Sequence, residues 1–207
     1  MSQKVKGWLL VVAALAGVWL IRHGAGAQLI PPQPTTAQAL AAGPEPQPGS
    51  PVAAPLKPSA PVRIRIPSIR VDAPVIRLGL GADGSLGVPP AGNRNVVGWY
   101  RDGTPPGSRG SAIVAGHVDN AQGRSVFYDL GTLQKGSEVE VVRQDGRTAV
   151  FSLDGIEVYD SDDFPDKRVY GASPYASLRL ITCGGGFSKT SGYLGNVVAY
   201  AHLTKVR

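Results

Sequence analysis

The sequence predicts one all-β domain, a small closed barrel of about eight strands with one or two short helices, preceded by a hydrophobic segment and a proline-rich stretch. Three observations carry that prediction. From Val62 onward, short apolar and β-branched runs are separated by Gly, Pro, Asn and Asp turns. No run in that region sustains a 3.6-residue apolar period. Before it, Pro31, Pro32, Pro34, Pro44, Pro46, Pro48, Pro51, Pro55, Pro58 and Pro61 crowd a stretch that no helix or ladder survives.

In chain order, residues 1–23 read as a membrane anchor or signal segment: Lys4 and Lys6 precede an uncharged run over residues 7–21. That run is shorter than the roughly 20 residues that span a bilayer, and snorkelling by Lys6 and Arg22 extends its reach. Ala25-Gly26-Ala27 fits a cleavage site, whereas Trp8 and Trp19 fit interfacial anchoring; the reading taken is an uncleaved single-pass anchor with everything after Arg22 outside the cytoplasm. Residues 24–61 read as a disordered Pro-rich linker of polyproline II character, reaching up to ~3.1 Å per residue. A ligand for a proline-binding partner is the lesser alternative.

Residues 62–207 form the expected barrel domain. Strands are expected over 62–66, where Val62-Arg63-Ile64-Arg65-Ile66 alternates, then over 69–76, 96–100, 111–117, 138–143, 148–160, 178–183 and 196–203. A short helix is expected over 124–133, with Phe127, Leu130 and Leu133 inward and Gly123 and Gly136 at its ends. The net charge of +6 divides evenly, +3 on residues 1–61 and +3 on the rest. That excludes a basic nucleic-acid binder and describes a mixed, solvated surface.

Two strand ends carry chemistry. Cys183, the single cysteine, closes Leu178-Arg179-Leu180-Ile181-Thr182-Cys183 and opens onto Gly184-Gly185-Gly186. Without a partner for an internal disulfide it either packs as a small hydrophobe or reacts. His117 ends the apolar run Ala112-Ile113-Val114-Ala115-Gly116. If the two strands are neighbours, imidazole and thiol meet, and a thiol with a pKa near 8.5 needs such a proton partner. A buried inert cysteine and a turn histidine is the plainer alternative. Plain readings also suit Asp119 as a turn residue, His202 as a hydrogen-bonded strand residue, and Trp99 and Tyr100 as core aromatics rather than groove walls. No metal-ligand spacing and no phosphate loop is present, so neither metal nor cofactor is expected.

The strings Ala115-Gly116-His117-Val118-Asp119, Phe127-Tyr128-Asp129-Leu130, Leu180-Ile181-Thr182-Cys183-Gly184-Gly185, Tyr193 and Asn196-Val197-Val198-Ala199-Tyr200-Ala201 together resemble a sortase. The resemblance runs over essentially all of residues 62–207. It is most similar to the actinobacterial class F group, with its Thr-Cys-Gly-Gly-x-Phe segment followed by a Tyr-x-x-Asn-Val-Val strand.

The resemblance implies a sortase-like barrel and a cysteine transpeptidase of the Gram-positive cell surface. Cys183 would attack a peptide bond of an LPxTG-like sorting signal and form a thioacyl enzyme; His117 would protonate the leaving amine and later deprotonate an acceptor amine. The implied partners are surface proteins bearing a C-terminal sorting signal and a peptidoglycan precursor or other amine acceptor. The family also uses an arginine on the strand after the cysteine, and this chain has none there: Lys189 is the only cation between Cys183 and that strand. Asn196, at the entry to the strand, and Arg179, on the same strand face as Cys183, are the candidates for an oxyanion or substrate contact. Two other readings stay open: a cysteine hydrolase or other wall-modifying Cys/His enzyme, and a catalytically silent membrane-tethered binding domain.

Overall fold

In the computed structural model, eight strands close into a barrel in the order β1-β2-β3-β4-β9-β10-β8-β7. They are β1 (Pro61–Ile66), β2 (Val71–Leu78), β3 (Val97–Tyr100), β4 (Gly110–Gly116), β7 (Glu138–Arg143), β8 (Thr148–Asp160), β9 (Ala176–Ser188) and β10 (Gly192–Val206). Two short strands, β5 (Asp119–Asn120) and β6 (Gly123–Arg124), pair beside the barrel. The structure describes residues 30–41, 43, 46 and 48–207; the expected anchor at residues 1–23 lies outside them. Among the described residues no helix is long and apolar enough to cross a membrane.

Strand alternation builds two apolar layers. Inward residues such as Ile64, Phe151, Leu178, Leu180, Ala199 and Leu203 fill the barrel. The opposite face of β4, β9 and β10 is also apolar: Ile113, Ile181, Val198 and Tyr200 pack with Val169 of the helix α1 (Asp166–Tyr170) and with Leu40, Tyr159 and Phe164. A strand covered on both faces reads as a nearly continuous apolar run, as Ala112 to Ala115 of β4 does. Each large apolar side chain fully buried this way stabilises the fold by about 1.5–3 kcal/mol.

Strand boundaries move little from the expected ones, except that β9 runs on past Cys183 to Ser188 and β10, expected over 196–203, extends over Gly192–Val206. The three glycines do not end the strand: Gly192 and Tyr193 still pair with Ser188 and Phe187. Gly185 and Gly186, with φ of 74° and 101° where a side chain is strained, lie at a register shift opposite Leu194, beyond which the ladder resumes at Phe187. Cys183 therefore stands inside a long hairpin rather than at its edge.

The helix expected over 124–133 is replaced by turns and a single 3₁₀ turn, Leu130–Thr132. The hydrogen bonds are of the short kind, Leu130 N–H to Phe127 O and Leu133 N–H to Leu130 O. A Cβ on Gly131 would meet the Pro32 carbonyl oxygen at 2.2 Å, so the chain crosses here at backbone contact. Phe127, Leu130 and Leu133 do point inward and are fully buried.

The Pro-rich stretch, expected as a tether, lies along the barrel wherever it is described, held by contacts rather than by a ladder. Gln38 is buried and donates to the carbonyls of Gly131 and Leu133 at 3.1 and 3.2 Å. Ala53 N–H donates to Leu203 O and Leu56 N–H to Gly107 O. Arg143, fully buried, donates to the carbonyls of Pro106 and Lys57. Ala53, Leu56 and Ala60 pack against the barrel core.

Candidate active site

β4 and β9 are parallel neighbours, with Ala115 level with Ile181. Two residues further along both chains come His117 and Cys183, so the register delivers the imidazole and the thiol to the same rim. The glycine before the histidine is required: a Cβ at Gly116 would lie 2.6 Å from the ring of Phe127 and 2.9 Å from Val126. The chain thus turns tightly over Phe127, whose N–H donates back to His117 O at 3.1 Å.

The His117 loop is clasped by the β2–β3 connection. Asn120 Nδ2 donates to Ala91 O at 2.6 Å, Arg94 Nη1 donates to Gln122 O at 3.0 Å, and His117 Nε2 lies 2.6 Å from Pro89 O. A carbonyl can only accept, so Nε2 carries the hydrogen and the lone pair of the neutral ring sits on Nδ1. His117 is not hydrogen-bonded to Cys183 in this state; the two face a shared cavity of about 250 Å³, walled also by Leu86, Pro89, Ile181 and Asn196.

Cys183 is open to solvent as a residue, yet the cavity wall desolvates its thiol. That burial, and then the nearby Asp119 carboxylate, raise its pKa above the ordinary thiol value. Asp119 is itself held by Tyr193 of β10, whose hydroxyl donates to Oδ2 at 2.6 Å. Burial and then that bond push the Tyr193 pKa upward, so the phenol remains a donor.

Of the four residues expected at the site, three are brought together. Asn196 is the direct cross-strand partner of Cys183 and lines the same cavity. Arg179 is not at the cavity. It shares a strand face with Ile181 and Cys183 but is only 2 % exposed, its guanidinium stacked over the Tyr200 ring at 4.5 Å and its Nη1 donating to Leu178 O. Burial lowers its pKa to about 10, which leaves it charged at neutral pH. Among the described residues, no lysine or arginine lines the cavity, and no cluster of His, Cys, Asp and Glu could hold a metal.

A larger groove of about 1030 Å³ continues from the cavity over the outer face of β3 and β4. Ser85, Leu86 and Tyr170 wall both spaces, and Leu80, Tyr100 and Ile113 make the groove largely apolar. The two adjacent aromatics of β3 divide: Trp99 packs in the core, while Tyr100 lines the groove. Sequence reasoning passed over the Asp119–Tyr193 pair and the Pro89 contact. Asp119 sits two residues after the histidine, which was the available signal; a carbonyl of a distant loop leaves none.

The Sortase domain family model matches residues 64–204. Solved structures share the fold. Sortase A of Listeria monocytogenes is 19% identical with a TM-score of 0.54, the match covering 72% of this chain and 90% of that one. Sortase A of Corynebacterium diphtheriae is 19% identical with a TM-score of 0.53, covering 72% of this chain and 62% of that one. The SrtA sortase of Actinomyces oris is 19% identical with a TM-score of 0.54, covering 78% and 89%. No curated protein matches the chain significantly by sequence.

Proposed function

The chain belongs to the sortase family, and from that premise we propose that it cleaves an LPxTG-like sorting signal through a thioacyl enzyme on Cys183 and transfers the carried protein to an amine acceptor of the cell wall. The observation that carries this reading is the delivery of His117 and Cys183, on parallel neighbouring strands, to one cavity with an apolar groove leading into it.

The chemistry follows from the site. The raised pKa keeps the resting sulfur protonated, so its proton passes to His117 Nδ1 as sulfur attacks the scissile carbonyl. The oxyanion that develops is met by Asn196, whose side-chain amide lines the cavity across the ladder from Cys183. The imidazolium then protonates the leaving nitrogen, the C–N bond breaks and the thioester remains. The groove supplies apolar walls for the residues that precede the scissile bond. Leu86 and Tyr170, common to groove and cavity, would register the peptide against the thiol.

The Thr182-Cys183-Gly184-Gly185-x-Phe187 segment and the Tyr193-x-x-Asn196-Val197-Val198 strand support the finer placement in the actinobacterial class F group. The uncharged run over residues 7–21 supports a single-pass anchor with the barrel outside the cytoplasmic membrane of a Gram-positive cell. In that place the substrates are surface proteins bearing a C-terminal sorting signal, and the acceptor is the amino group of a peptidoglycan precursor.

The test combines the full-length chain, an LPxTG peptide library and an oligoglycine acceptor, read by mass spectrometry of protein and peptide. An acyl adduct on Cys183, absent in Cys183→Ala, with peptide joined to the amine, is the expected result. Cleavage with water as sole acceptor would make the protein a hydrolase. Absence of any adduct from a thiol that still alkylates would overturn the substrate class.

A further inference from the structure

Asp119 is the feature of this site that thioester formation does not use. A carboxylate beside a nucleophilic thiol opposes formation of the thiolate, so its presence there calls for a step that benefits from negative charge.

Its surroundings fix it and leave it uncompensated. Tyr193 holds Oδ2 at 2.6 Å, and among the described residues Asp119 has no ion pair. Arg124 is its cross-strand partner in the β5–β6 pair, yet the Arg124 guanidinium lies over the Tyr128 ring, 4.4 Å from its centroid, instead of on the carboxylate. No lysine or arginine lines the adjoining cavity. Asp119 is half-buried, so a ligand reaches it from solvent. The groove leads away over β3 and β4, on one side of β9, whereas Tyr193 reaches Asp119 from β10, on the other. An acyl chain in the groove leaves the carboxylate free.

We propose that Asp119, held by Tyr193, is the acceptor-binding residue: its carboxylate receives the incoming nucleophile as a protonated primary amine and orients it toward the thioester on Cys183. This inference rests on the transpeptidase reading and names how the acceptor is chosen over water. In the step, the bound ammonium gives one proton to His117 Nδ1, and its freed lone pair forms the C–N bond to the acyl carbon. The C–S bond breaks, the second proton leaves the nitrogen for the Cys183 sulfur, and the proton on His117 passes to solvent. The products are the amide and the thiol. Water and uncharged nucleophiles gain nothing from the carboxylate, which makes charge the basis of the selection.

The experiment compares the full-length wild type with Asp119→Asn and Tyr193→Phe, loading each with the same LPxTG peptide and offering either oligoglycine, an ammonium at neutral pH, or hydroxylamine, which is neutral there. The ratio of oligoglycine transfer to hydroxylamine transfer is expected to fall about tenfold in Asp119→Asn, the loss of one charge-assisted contact. It is expected to fall less in Tyr193→Phe, which keeps the carboxylate but frees it. The KM for oligoglycine carries the change. Equal losses with both acceptors would overturn the proposal and make Asp119 a residue that positions His117. Unchanged transfer rates with both acceptors in both variants would overturn it outright. If Asp119→Asn does not fold, Tyr193→Phe decides by the same ratio. Failure of the wild type to form any acyl-enzyme sinks the transpeptidase reading and this inference together; acylation with an unaltered acceptor ratio sinks only the latter.

Discussion

Asn196 stands directly across the β9–β10 ladder from Cys183, so the two side chains leave the same face of the hairpin into one cavity. In a cavity without lysine or arginine, that amide is a side-chain donor available to a developing oxyanion. Asn196→Ala should lower the acylation rate by about 10²–10³-fold with little change in peptide KM, the magnitude seen when one oxyanion donor is removed. Single-turnover cleavage of the sorting peptide measures it. A rise in KM at constant rate would instead make Asn196 a substrate contact.

Cys183 carries the second prediction. Its pKa is raised, first by burial and then by Asp119. A raised pKa in an acid means less thiolate at any pH below it, so alkylation of Cys183 should follow a titration whose midpoint lies above the ordinary thiol value of about 8.5. Asp119→Asn removes the second cause and should move that midpoint down, toward faster alkylation at neutral pH. Iodoacetamide rates across pH, followed by mass spectrometry, decide it. A midpoint that rises in the variant would reverse the sign of the interaction.

How much of this was legible in the sequence depends on which forces fixed each element. Short apolar and β-branched runs between turn residues marked the eight barrel strands, and in β1 and β7 the inward Ile64, Ile66, Val139 and Val141 report their own burial. The parallel placement of β4 beside β9 was only a condition in the sequence, because pairing across a barrel is a tertiary choice. Three glycines after Cys183 predict a strand end; Gly185 and Gly186 instead take positive φ at a register shift, and pairing resumes beyond them. The stretch over 124–133, expected as a helix, begins in β6 and ends in a 3₁₀ turn where Gly131 meets the Pro32 backbone, a contact between residues far apart in sequence that local signals do not report. Arg179 showed its strand face but not what covers that face.

Arg179 supplies a prediction of structural rather than catalytic role. Its guanidinium is enclosed with Nε lacking a partner, and it balances its burial chiefly through the Tyr200 ring. Replacing a buried ion pair with apolar side chains of similar volume is often neutral or stabilising by about 1–4 kcal/mol, and among the described residues Arg179 has no ion-pair partner that its loss would strand. Arg179→Met should therefore hold or raise the melting temperature and leave Cys183 acylation intact. A large loss of acylation in a folded variant would return Arg179 to the reaction.

The Pro-rich stretch makes the last prediction. Removing residues 1–61 to isolate the barrel strips Ala53, Leu56 and Ala60 from the core and takes away the Lys57 carbonyl that Arg143 binds. It also removes the Pro51 carbonyl from buried His202, whose Nδ1 remains on Asp154 at 2.7 Å. Each lost apolar contact forfeits transfer free energy, and each buried donor left without its acceptor costs about 1–3 kcal/mol. A protein beginning at Val62 should thus be less stable by several kcal/mol, with a lower urea midpoint, than one beginning at Pro31. Restoring residues 50–61 alone should recover the larger part, since the Arg143, His202 and core contacts all fall there, while Gln38 on the Gly131 and Leu133 carbonyls supplies the remainder. Equal urea midpoints for the three forms would mean that these contacts add nothing beyond the barrel itself.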